Sequence, residues 1–317
     1  MKKITIFNTS ICTENIGDFI IMDAVKEQLY ELFSEDMIFE TITQDKISKA
    51  TYKLVKNSNY SFVGGTNLLS SNMQRYNQWK INLYDAFYLK DILLMGVGWW
   101  QYQDKPSFYT KYLFNSVLSH DVLHSVRDAY TEKKLIEMGF DNVINTGCPT
   151  MWNLTKEHCL EIPHQKAESV VFTLTDYNQD KKRDQQLIGI LHKNYKKLYF
   201  WPQGSRDLAY IHRLENIQNI QIIGGNLISY NNLLDNQNIE LDFVGTRLHA
   251  GIRSLQKKRR TIIIGIDNRA EEKSKDFNLK VISREKLDLL EDIIQSDLET
   301  KITLNEENIK RWKNQFL

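Results

Sequence analysis

The sequence predicts an α/β protein built from two doubly wound, mostly parallel sheets. Three observations carry that expectation. Short β-rich runs alternate with amphipathic helical patterns along nearly the whole chain. One stretch of weak periodicity, 155–168, holds a proline and several charges and breaks the rhythm. The same alternation then restarts. A strand–helix repeat of this kind puts helices on both faces of a parallel sheet, and its recurrence gives two such layers. The 317 residues suit two domains of about 150 residues each. We expect one domain over 1–155 and another over 165–300, with a terminal helical segment, 301–317, that can pack back on the first.

In the first half the strand candidates are 4–8, 37–41, 61–63, 92–97, 122–126 and 142–145. The first helix is the clearest. Ile21, Val25, Leu29 and Leu32 form one apolar stripe, and Asp18 precedes it at a position suited to a helix start. Gly147-Cys148-Pro149 closes the sixth strand. In the second half the strand candidates are 169–175, 198–201, 220–223, 241–244, 260–266 and 280–283, followed by a helical pattern over 305–316.

Composition removes several classes. The chain holds 41 Lys and Arg against 40 Asp and Glu, so its net charge of +1 offers no basic footprint for duplex nucleic acid. With 42% hydrophobic and 11% aromatic residues it can bury real cores, which excludes dominant disorder. Cys12, Cys148 and Cys159 form no C-x-x-C, so neither a zinc ribbon nor a disulfide framework is expected, and a reducing cytoplasm is. The opening strand is interrupted by Asn8 too early for a signal-peptide core, and the longest apolar stretch, 92–100, is far short of a membrane span. We expect a soluble or at most membrane-peripheral protein.

In doubly wound sheets ligands bind beyond the carboxyl ends of strands, here in a cleft expected between two domains. The residues just after each strand therefore matter most. Asn15-Ile16-Gly17-Asp18 opens the first helix; Asp18 reads either as its cap or as a site residue. Gly64-Gly65 and Gly96-Val97-Gly98, the latter followed by Trp99 and Trp100, are loops where backbone approaches something closely: a ligand or a neighbouring element. Trp99 and Trp100 suit a sugar ring or a core equally. Ser125-Val126-Arg127-Asp128 puts an arginine at a buried strand end, where it needs an anion or a carboxylate partner. Asp207 follows another strand.

The strongest local signal is Gly245-Thr246-Arg247-Leu248-His249-Ala250. Arg247 offers a bidentate fork for phosphate or carboxylate, and His249 can exchange a proton near neutral pH. Arg269 follows the next strand. The run Gln256-Lys257-Lys258-Arg259-Arg260 precedes a strand and predicts a solvated face. No G-x-G-x-x-G, P-loop, G-x-S-x-G or D-x-D occurs, and the remaining histidines lack metal-ligand spacing, so no metal is expected.

Taken in order, Asn15-x-Gly17-Asp18, Gly64-Gly65, Gly96-x-Gly98, Ser125-Val126-Arg127-Asp128 and Arg247-Leu248-His249-Ala250 resemble the polysaccharide pyruvyl transferase family. The resemblance implies a GT-B-like fold of two facing Rossmann-type domains. It implies an enzyme that transfers a pyruvyl group from phosphoenolpyruvate to two hydroxyls of a sugar in a cell-surface polysaccharide precursor. Phosphoenolpyruvate is then a donor substrate, and no cofactor is needed. Donor binding falls to Arg127, Arg247, Leu248, His249 and Arg269, and catalysis to His249 with Asp18 second. Acceptor or loop roles fall to Asn15, Gly17, Gly64, Gly65, Gly96, Gly98, Trp99, Trp100 and Asp207. A lipid-linked oligosaccharide acceptor, contact with the inner face of the membrane and a homo-oligomer stay open. So do a nucleotide-sugar glycosyltransferase of the same architecture and a non-catalytic glycan-binding relative. The chain departs from the family at Cys148, where an aspartate is usual, at Thr66, where a third glycine is common, and at Arg269, where the family has lysine.

Overall fold

The computed structural model describes all 317 residues and separates into two compact units. The first holds Met1–Thr13, Ile21–Trp152 and Leu304–Leu317; the second holds Glu14–Ile20 and Asn153–Thr303. No helix is long and apolar enough to cross a membrane.

The first unit contains β1 (Lys3–Asn8), most of α1 (Gly17–Leu32), β2 (Met37–Ile42), α2 (Lys49–Lys56), β3 (Tyr60–Gly64), β4 (Ile92–Met95), α3 (Phe108–Val117), β5 (His124–Val126), α4 (Ala129–Ile136) and β6 (Val143–Asn145). Its main sheet runs β2-β1-β3-β4, all parallel, and β5 and β6 form a parallel pair joined to it by the bridge Val97↔Val126. Alternation along β1 sorts its side chains. Ile4 and Ile6 pack with Ile21, Val25 and Leu29 of α1 and with Trp312 and Phe316. Phe7 packs on the other face with Trp79, Leu113 and Phe114.

The second unit contains α5 (Lys156–Leu160), β7 (Ser169–Thr173), α6 (Lys181–Asn194), β8 (Lys197–Phe200), α7 (Asp207–Ile211), β9 (Ile220–Ile222), α8 (Leu227–Asp235), β10 (Leu241–Gly245), α9 (Leu248–Gln256), β11 (Thr261–Gly265), α10 (Asn268–Phe277), β12 (Val281–Ser283) and α11 (Leu290–Gln295). The last helix, α12 (Glu306–Asn314), belongs to the first unit, where Trp312 is fully buried. The sheet of the second unit runs β9-β8-β7-β10-β11-β12, wholly parallel, with the order reversing between β7 and β10. That is the doubly wound order in which the reversal marks a ligand crevice.

One expectation fails here. The charge run before β11 is not a solvated face: Arg259 and Arg260 are buried. Arg259 donates to the carbonyl of Leu234 in the last turn of α8, to that of Asn236 at its cap and to that of Ile239 beyond it. Arg260 pairs with Asp242 at 2.8 Å and donates to the carbonyls of His164, Ile293, Ile294 and Ser296. A guanidinium carries enough donors to satisfy itself in this way; an ammonium does not. Lys257 and Lys258 stay at the surface beside Asp235 and Glu161.

His124, fully buried in β5, accepts from the Leu94 amide at 3.1 Å through Nδ1. Its Nε2–H therefore donates to the Ser119 carbonyl at 2.8 Å, which fixes a neutral ring. Burial pushes its pKa down to about 4, with His120 adding to the fall and the Ser119 carbonyl opposing it. The unfolded chain protonates near pH 6.5, so between the two values it binds more protons than the folded one. The stabilisation is complete above about pH 6.5 and is lost as pH falls toward 4; by pH 5 the loss should be about 2 kcal/mol. Denaturant unfolding at pH 7 and pH 5 reads this, with His124→Gln as control. A variant as pH-sensitive as the parent would place the loss elsewhere.

Candidate active site

The reversal between β7 and β10 places two strand ends side by side. β7 empties into Leu174-Thr175-Asp176-Tyr177, and β10 into Thr246-Arg247. The two backbones touch. A Cβ on Gly245 would lie 2.7 Å from the Thr173 nitrogen, the Thr246 amide donates to the Thr173 carbonyl at 3.0 Å, and the Arg247 amide donates to the Thr173 hydroxyl at 3.2 Å. Arg247 is thereby fixed at the mouth of α9, with His249, also buried, two residues on and Leu248 between.

The Arg247 side chain is held from one side. Its Nε donates to the Leu174 carbonyl and to Asp207 Oδ2 at 3.1 Å; its Nη2 donates to Asp176 Oδ1 at 2.7 Å and to Asp207 Oδ1. Asp207 is fully buried and also accepts from the amides of Gln203, Gly204 and Asp176. Burial pushes its carboxyl up from the ordinary value, while Arg247 and the amides of Gly204 and Asp176 pull it back. Gly204 leaves room for the guanidinium: a Cβ there would lie 2.3 Å from Arg247 Nη2, which Asp176 and Asp207 hold in place.

The Asn15 motif is built onto the same loop. Asn15 Oδ1 accepts from Gln203 Nε2 at 2.8 Å and from the Gly17 amide, Ile16 donates to the Gln203 carbonyl, and Asn15 bridges to Gly204. A Cβ on Gly17 would meet Gln203 Nε2 at 2.7 Å. Asp18 is buried in the first turn of α1.

Tyr177 joins the last member. Its ring centroid lies 5.1 Å from the Arg247 guanidinium carbon and 6.0 Å from that of Arg269, whose Nη2 also donates to the Tyr177 hydroxyl. Arg269 forks onto Asp267, the N-cap of α10. Sequence reading passes over Asp176 and Tyr177. Their signal is the one used elsewhere, a position directly after a strand. Arg247 and Arg269 share a further property: Nε and Nη2 are bonded within the protein and Nη1 is not.

The remaining candidates lie in the first unit. Arg127, buried, donates from Nε to Asp128 at 2.8 Å, from Nη1 to Asn67 and from Nη2 to the Trp99 carbonyl. Gly98 makes room for it, since a Cβ would lie 2.2 Å from its guanidinium carbon. Burial works to raise Asp128, but the Arg127 charge and the hydroxyl and amide of Thr131 outweigh it and hold the carboxyl below its ordinary value. Gly64 and Gly65 press on Val25 and Ile21 of α1, and Gly96, at φ +64°, presses on Pro149. Thr66 also adopts a left-handed φ of 51°, which explains why glycine suits that place. Trp99 is fully buried edge-on to Phe114, whereas Trp100 stacks on Tyr76 and is partly exposed. Cys148 is buried and its sulfur accepts from the Thr150 hydroxyl.

The family model for polysaccharide pyruvyl transferase matches residues 15–268. The chain belongs to that family. Membership makes it a transferase of polysaccharide biosynthesis. Among solved structures it is similar to the Methanocaldococcus jannaschii UDP-GlcNAc 2-epimerase bound to UDP-GlcNAc and UDP. That match has 11% identity, covers 99% of this chain and 100% of that one, and has a TM-score of 0.54. The Rickettsia bellii UDP-N-acetylglucosamine 2-epimerase gives 12%, 99% and 94%, and 0.52. A putative epimerase of the same name from Listeria monocytogenes gives 12%, 94% and 91%, and 0.52. These are GT-B-type proteins, and at such identity the likeness speaks for the fold alone. No curated protein matches the chain.

Asp207→Ala should leave the pyruvyl transferase's Arg247 buried without its main carboxylate. Denaturant unfolding should then show a loss of about 3–5 kcal/mol. A loss below about 1 kcal/mol, the worth of an exposed pair, would mean that Arg247 relaxes into water.

Proposed function

We propose that this enzyme moves a pyruvyl group from phosphoenolpyruvate to two hydroxyls of a sugar in a cell-surface polysaccharide precursor, forming a pyruvate ketal. One observation carries the reading. Arg247 and Arg269 lie against one tyrosine at the carboxyl ends of β10 and β11, and each keeps an Nη1 edge unbonded. Phosphoenolpyruvate presents a phosphate and a carboxylate on three carbons, and a guanidinium edge is suited to each kind of anionic group. Asp207 and Gly204 frame Arg247, and the Asn15–Gly17 loop packs on the same segment through Gln203. Arg127 has all three side-chain nitrogens engaged, so a contact from it to the donor requires one of those bonds to exchange.

The reaction balances without a cofactor or metal. A proton added to the methylene carbon makes it a methyl group and leaves C2 electrophilic. One sugar oxygen attacks C2, the C2–O bond to phosphate breaks, and the second oxygen closes the ketal. The two hydroxyl protons are accounted for by the methyl group and the departing hydrogen phosphate. We assign proton transfer to His249, with Asp18 as the second acid–base group. The three cysteines are unpaired thiols, which suits a reducing cytoplasm.

Isothermal titration with phosphoenolpyruvate, UDP-glucose and UDP-galactose tests the donor. Phosphoenolpyruvate should bind, and at a hundred times its dissociation constant should stabilise the protein by about 2.7 kcal/mol. Binding of a nucleotide sugar without phosphoenolpyruvate would replace this reading by a glycosyltransferase.

His249→Ala should lower phosphate release by about 10²- to 10⁴-fold with circular dichroism unchanged. Activity within about threefold of the parent, far less than general acid–base catalysis is worth, would take His249 out of the chemistry.

A further inference from the structure

The stretch 46–112 of the first unit differs in charge from the rest of the chain. It holds nine lysines and arginines against three aspartates, a surplus of six in a chain whose overall surplus is one. One of the three, Asp85, is buried and accepts from the Tyr52 hydroxyl. Elsewhere exposed lysines sit beside carboxylates, as Lys196 beside Glu168 and Lys258 beside Glu161. Here Lys46, Lys49, Lys53, Lys56, Lys80, Lys90 and Lys105 are all exposed with few acids to oppose them.

The same stretch exposes aromatic rings. Tyr52 stacks on Tyr88 with centroids 4.5 Å apart, and Tyr84 lies 5.4 Å from Tyr88. Phe87, in the short 3-10 turn Asp85–Phe87, is 77% exposed. That turn packs against α3, whose outer face shows Phe108, 84% exposed, and Tyr112 one turn later. Lys90 reaches over to the Ser116 carbonyl of α3 at 3.0 Å.

We propose that this surface docks the enzyme on an anionic membrane. The distribution of chemistry selects that partner. Phe87 and Phe108 have no polar handle and suit the edge of the acyl region. Tyr84, Tyr88 and Tyr112 carry hydroxyls suited to headgroup depth, and lysines meet the lipid charge. A soluble polyanion would use the lysines and leave the phenylalanines in water. The inference stands apart from the donor reading, because the vesicles that test it contain neither donor nor acceptor.

The test is flotation of the full chain with vesicles of phosphatidylglycerol mixed with phosphatidylcholine, and with phosphatidylcholine alone. The parent should float only with the anionic vesicles, and less at high salt. Phe87→Ser with Phe108→Ser should weaken partitioning at least about tenfold, and Lys49→Gln or Lys53→Gln about fivefold each. All three should keep the parent's thermal unfolding midpoint, since the changed side chains are exposed. Failure of the parent to float would overturn the proposal. So would double-serine binding equal to the parent's, or full competition by a soluble acidic polysaccharide or RNA that the phenylalanines do not influence.

Discussion

The second unit depends on a buried ion pair. Asp207 gives both oxygens to Arg247 while receiving amides from the loops after β7 and β8. Three chain segments are thus referred to one carboxylate. Burying both charges is costly, and the cost is offset only when every remaining lone pair and donor is met. That condition explains the glycine at 204 and the packing of the Asn15 segment on Gln203. It also makes Asp207 a positioning residue: it acts through Arg247, whose direction it sets.

The first unit repeats the device with different parts. Arg127 and Asp128 are adjacent in sequence, Gly98 gives the space that Gly204 gives, and Asp128 doubles as the cap of α4 through Thr131. The outcome differs because Asn67 and the Trp99 carbonyl take up the remaining nitrogens. Arg127 ties loops together; Arg247 does so and keeps an edge.

That distinction marks the limit of what the sequence shows. The strand–helix alternation was legible, because each strand is a short β-rich run between helical patterns, and every strand candidate falls on an observed strand. The motif residues were legible as residues following strands. What could not be read was the bonding of each arginine. Arg127, Arg247, Arg259, Arg260 and Arg269 look alike in sequence, yet Arg259 bonds only to carbonyls and Arg260 to carbonyls and the Asp242 carboxylate. Lys257-Lys258-Arg259-Arg260 reads as one charged run because charge is visible in sequence and donor geometry is not. Tyr177 was missed for a similar reason: an exposed tyrosine gains meaning only from the two guanidinium groups it lies against.

The local charge balance bears on how the site would hold an anion under the proposed donor reading. Around Tyr177, Arg247 and Arg269 face Asp176, Asp207 and Asp267, one carboxylate more than guanidinium. The N-termini of α9 and α10 open at Arg247 and Asp267, each contributing about half a positive charge. The sum is close to neutral, so bulk attraction cannot be the source of affinity. Direction can. The carboxylates hold one edge of each guanidinium and leave the other pointing away from them, and a ligand bound there gains preformed, charge-assisted hydrogen bonds without ordering two long side chains. A site of this kind selects for the geometry of its anion more than for its charge. Under the donor reading proposed above, this favours a donor whose anionic groups can each accept from a guanidinium edge over an anion that offers charge alone.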